Sequence, residues 1–72
     1  MINLTNISIY VAQCTYGYYD ERETEVVYAG ISLIDAVEAV KEFKPAYNEE
    51  KRFAYVTEWV SGEFVQQMEV EL

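Results

Sequence analysis

Histidine is absent from this 72-residue chain, and cysteine and proline occur once each. Without histidine there is no usual general base, no commonest zinc ligand and no Ser-His or Cys-His dyad. A single cysteine, Cys14, excludes an internal disulfide and any multi-cysteine metal site. Secreted domains of this size ordinarily carry an even set of bridged cysteines, so a cytoplasmic location is expected. Cys14 has no cation near it in sequence and reads as a small, half-buried, unreactive hydrophobe. Bases are also scarce: five against thirteen acids, for a net charge of −8. Such a field repels phosphate and anionic membranes, so neither direct nucleic-acid binding nor membrane attachment is expected. It suits instead a protein partner with a basic surface.

Other absences narrow the chemistry further. The opening residues MINLTNISIYVAQC carry no basic lead, and Asn and Ser interrupt their apolar positions, so they do not read as a signal peptide. No run approaches the roughly 18 apolar residues of a bilayer span. Gly17, Gly30 and Gly62 are isolated and read as turn or bulge positions, not as a phosphate loop. Asp20, Glu21 and Glu23 lack the alternation, central glycine and terminal glutamate of a calcium loop. So small a sheet offers no cleft in which to desolvate one carboxylate of a catalytic pair. The expectation is a protein that is not an enzyme and uses no metal or cofactor.

What is present is apolar and aromatic. Hydrophobic residues make up 51% of the chain, enough for one small globular domain spanning 1–72, with seven tyrosines among them. Ile7, Ile9 and Val11 alternate with Ser8, Tyr10 and Ala12, which predicts a strand with its odd positions toward the core. TEVVYA (24–29) is β-branched and aromatic and predicts a second strand, antiparallel to the first. Ser32 is the expected N-cap of a helix, with Asp35 three residues on and Ile31 placed to staple onto Ala36. Leu33, Ala36, Val37, Val40 and Phe43 then share one helical face, and Lys44 and Pro45 mark the end. KPAYNEEK (44–51) reads as the loop to a final hairpin. With Ser61-Gly62 as a two-residue turn, Trp59 pairs with Phe64, Tyr55 with Met68, Phe53 with Val70 and Arg52 with Glu71. The predicted architecture is α+β: ββαββ, a four-stranded antiparallel sheet with one helix packed on one face, its strand order left open.

This arrangement puts a surface on the side of the sheet away from the helix. Ser8, Tyr10, Ala12 and Cys14 are expected there, joined by Tyr16 and Tyr18 unless a bulge at Gly17 reverses them. Ala54, Val56, Glu58, Val65, Gln67, Glu69 and Glu71 are expected there from the last hairpin. Tyrosine beside carboxylates suits an interface, and ordinary strand propensity and solubility explain the same residues about equally well. Tyr16, Tyr18 and Tyr19 are the candidate contact residues, with Asp20, Glu21, Glu23 and Glu25 supplying charge. Glu69 and Glu71, two apart on a strand, together with Asp35, Glu38 and Glu42 on the helix, form an acid array comparable in spacing to a nucleic-acid backbone.

The short acidic chain, its passage VVYAGISLIDA from strand through glycine into a capped helix, and its lack of catalytic residues resemble small phage-encoded inhibitor proteins. These include DNA mimics that block host nucleases, glycosylases or CRISPR effectors. The resemblance covers the overall plan and about eleven residues, and carries no functional residue across. It implies protein binding without a cofactor, often as a dimer. The alternative expectation is a structural or accessory protein that forms a homodimer through its Tyr/Val outer sheet face.

Overall fold

The computed structural model describes residues 7–17, 22–44 and 51–71, apart from the side chains of Lys51 and Arg52. Strands β1 (Ser8–Tyr16) and β2 (Glu23–Gly30) precede helix α1 (Leu33–Glu42), and β3 (Lys51–Val60) and β4 (Glu63–Val70) follow it. The strands form one antiparallel sheet in the order β2-β1-β3-β4. The predicted α+β ββαββ architecture is therefore the observed one. The helix rests on β1 and β2 and touches β3 less; among the described residues no element covers the far side of the sheet, although Thr15 on that side is itself buried.

Helix α1 begins where its cap was expected. Ser32 Oγ accepts the Asp35 N–H at 3.2 Å, satisfying one of the four donors that a helix start leaves open. The reciprocal half of a capping box comes from elsewhere: the Ser32 N–H donates to the Tyr28 hydroxyl at 3.1 Å. Ala36 and Val40 are fully buried against the sheet, while Val37 and Phe43 flank them. Ile31 remains 71% exposed, so the expected staple onto Ala36 is not made.

In β4 Met68 and Val70 keep the predicted core side and Gln67 and Glu69 the predicted outer side, while in β1 and β3 the face of the sheet beneath the helix is the reverse of the predicted one. Ala12, Cys14, Ala54 and Val56 are fully buried there with Val70, whereas Ile7 and Ile9 are each 39% exposed on the other side. Both parities of β1 are apolar, so alternation alone did not choose between them. Size decides: alanine and cysteine under the helix let it approach closely, and the bulkier isoleucines would hold it off. The last hairpin is corrected in the same sense. Its turn and the Trp59–Phe64 pair are as predicted, with Ser61 at φ 53 and Gly62 at φ 80, both in the left-handed region that a type I′ turn needs. Val65 is then an extra residue in β4, so Glu58 pairs with Gln66, Val56 with Met68, Tyr55 with Glu69 and Ala54 with Val70. One inserted residue rotates every later position of the strand by one face. The ladder ends at Ala54–Val70 and does not pair Arg52 with Glu71, and the Arg52 side chain lies outside the described residues.

A second bulge, at Val27, lets β2 turn Tyr28 and Val27 toward the core. Among the described residues the core is thin. Its largest fully buried side chains are Val40, Val56 and Cys14, each Val worth about 1.5–3 kcal/mol when removed from water. Cys14 is wholly buried, more so than the half-buried position expected of it.

Candidate functional site

Two surfaces of opposite character result. The side of the sheet away from the helix carries large apolar and aromatic residues, with Gln13, Gln67 and Glu69 among them. Antiparallel partners share a face, so Ile9 stands beside Trp59, Val11 beside Ala29 and Thr57, and Gln13 beside Val26 and Tyr55. Trp59 and Phe64 meet edge to face with centroids 5.6 Å apart, and Phe53 stacks on Tyr55 at 6.4 Å. Phe64 is 54% exposed and Phe53 42%. Two of the polar groups among them are engaged within the chain: Trp59 Nε1–H donates to Thr57 Oγ1 at 3.0 Å, and the Thr57 hydroxyl donates to the Val11 carbonyl at 3.4 Å. The indole therefore needs no further acceptor if this face is covered. Shallow hollows of about 380 Å³ (Ile7, Ile9, Ile31, Ser61, Gly62) and about 370 Å³ (Phe53, Ala54, Tyr55, Gln67, Glu69) lie at opposite ends of the face.

The helix side carries the charge. Asp35, Glu38 and Glu42 are exposed on α1, turned away from Ala36 and Val40 by the 3.6-residue period. Glu23 and Glu25 are exposed on β2, whose ladder sets them beside Tyr16 and Cys14 and so on the same side of the sheet as the helix. Tyr16 is half-buried there and does not join an outward stripe. Its hydroxyl donates to Glu23 Oε2 at 2.9 Å, and its ring lies 5.7 Å from that of Phe43. This contact brings the C-terminal end of the helix, with Glu42, to the Glu23 end of β2. Tyr18, Tyr19, Asp20 and Glu21 lie outside the described residues. Glu69 is exposed on the apolar side beside Tyr55, and Glu71 is exposed just past the end of β4. The structure thus groups Glu23, Glu25, Asp35, Glu38 and Glu42, and separates Glu69 from them by the thickness of the sheet.

Glu58, expected on the far side, also belongs to the helix side, opposite Tyr10 and Gln66. Its carboxylate accepts from Ser8 Oγ at 2.5 Å and from Gln66 Nε2 at 2.7 Å, joining β1, β3 and β4. The Gln66 and Ser8 bonds hold its pKa below the ordinary glutamate value. A carboxylate depressed in the folded state stabilises the fold above its unfolded pKa, and that stabilisation is lost as pH falls through the folded value. Glu58→Gln is therefore expected to flatten the acid limb of melting temperature against pH while leaving the plateau above pH 6 level. An acid limb identical to that of the parent chain would show that the bridge contributes nothing.

An outer face of tyrosine and valine was expected; the residues that form it, Ile9, Trp59 and Phe53, were missed because large hydrophobes were taken for core. The small residues at alternate positions, Ala12, Cys14 and Ala54, were the signal that pointed the other way. Among the described residues no helix is long and apolar enough to cross a membrane, and no three His, Cys, Asp or Glu side chains gather as for a metal ion. No family model, curated protein or solved structure matches the chain.

Proposed function

We propose that this chain is a non-enzymatic, acidic protein-binding module that takes a basic surface of its target on its helix side. Its action is that of an inhibitor, occluding a nucleic-acid-binding surface, as in phage or other mobile elements. The observation that supports this reading is the separation of charge. Glu23, Glu25, Asp35, Glu38 and Glu42 are exposed on one side of the sheet, while the opposite side is apolar. Acids at i, i+3 and i+7 of a helix climb about 4.5 and 6 Å along its axis, a row suited to a basic groove that ordinarily holds phosphates. Carboxylates so placed steer a basic partner and pair with its Lys and Arg groups at the contact.

Immobilised protein is expected to retain basic nucleic-acid-binding proteins from a bacterial lysate at 50 mM salt and release them at 500 mM. The triple reversal Glu23→Lys, Glu38→Lys, Glu42→Lys should cut that retention at least tenfold. Equal retention by the triple variant, or retention indifferent to salt, removes the reading. A second function, self-association, is favoured by a separate observation, the aromatic far face of the sheet.

A further inference from the structure

We infer that the bare sheet face is covered by the same face of a second copy, giving a face-to-face homodimer with both helices outermost. Among the described residues one helix covers one face of the four-stranded sheet, and an apolar sheet face left over gains stability when another element buries it. Ile7, Ile9, Trp59, Phe53 and Phe64 form an open aliphatic and aromatic surface, in which the Trp59 N–H and the Thr57 hydroxyl are already bonded within the chain. Covering it orphans neither of these groups.

Charge selects the occupant. The face carries Glu69 on β4, an edge strand, where its carboxylate reaches solvent at the rim of a paired interface. It offers a basic partner no cluster of acids to grip. A second copy meets the opposite situation, because the acids on the helix side of each chain point away from the contact. Sheets packed face to face lie about 10 Å apart, and each helix layer adds roughly 10 Å more. The two acidic surfaces are thus roughly 30 Å apart, several times the ~8 Å screening length at physiological salt. A net charge of −8 per chain does not oppose this pairing.

Sedimentation equilibrium from 1 to 100 µM is expected to give a dimer, held as tightly at 500 mM as at 50 mM salt. Phe64→Glu on β4 should weaken association at least 100-fold while keeping the far-ultraviolet spectrum of the parent. Trp59, the only tryptophan, reports on the face without any substitution. As the parent chain dissociates on dilution, its emission should shift to the red and its quenching by acrylamide should rise. A strict monomer at 100 µM overturns the inference. A dimer whose dissociation leaves Trp59 emission unchanged overturns it as well, because its interface then lies elsewhere. Loss of dimerisation would leave the acidic helix-side reading standing, since that reading rests on Glu23, Glu38 and Glu42 and is tested on them.

Discussion

Ala12→Asp is expected to abolish folding at neutral pH, and Ile9→Asp three residues earlier to leave the chain folded. Ala12 is fully buried beneath α1, with Tyr28 beside it on β2 and Val56 on β3. A carboxylate placed there has an alanine- and valine-lined site around it, and burying an unpaired charge costs several kcal/mol even after relaxation. A domain of about 70 residues holds only about 3–5 kcal/mol in reserve. Ile9 is 39% exposed on the face away from the helix, so an aspartate there reaches water and loses only strand propensity and neighbour contact, about 1 kcal/mol. Far-ultraviolet spectra and urea titrations of the two variants decide the matter. The reverse result, with Ile9→Asp unfolded and Ala12→Asp intact, would put the odd positions of β1 under the helix and dissolve the bare apolar face.

Gly30→Ala should lower the melting temperature by about 8–16 °C, although Gly30 does not have the left-handed backbone of Gly62. The reason is a side chain passing over it. A methyl group on Gly30 would lie 2.6 Å from the Tyr28 hydroxyl oxygen and 2.9 Å from the ring carbon bearing it. The ring must swing away, and the Ser32 N–H then loses its acceptor at the start of the helix. Displaced packing and an orphaned donor together cost about 2 kcal/mol, which in a domain this small is a shift of roughly 4–8 °C per kcal/mol. Tyr28→Phe alone should cost about 1 kcal/mol, the hydrogen bond only. The two changes should be markedly non-additive, since once the alanine has moved the ring its hydroxyl has nothing left to lose. Strict additivity in calorimetry would mean that Gly30 acts independently of the Tyr28 cap.

The elements themselves were legible because each is signalled by neighbours in the chain. Helix α1 was marked by Ser32, by the apolar spacing through Phe43 and by the charged residues at its ends, and its exposed acids followed from the same period. The Ser61-Gly62 turn and the Trp59–Phe64 pair were legible for a similar reason, since a two-residue turn dictates the first partners on either side. Beyond them the pairing failed at Val65, one extra residue that local pattern does not mark. Of the candidate acids, Asp35, Glu38 and Glu42 were placed by the helix alone; Glu69 lies on the outer side as expected but beside Tyr55, because of the extra residue at Val65, and Tyr16 was assigned to the wrong side because that depends on which face of β1 is covered.

Order of elements, helical periodicity, net charge and the lack of histidine are properties of the linear chain, and the chain alone determined them. Only the folded structure decided which side of the sheet the helix covers. In β1 and β3 both alternating sets are apolar, so transfer from water favours either, and the choice falls to how closely a helix can approach. Small side chains won at Ala12, Cys14 and Ala54, and the larger ones, Ile9, Trp59 and Phe53, were left on the side away from the helix as a second apolar face.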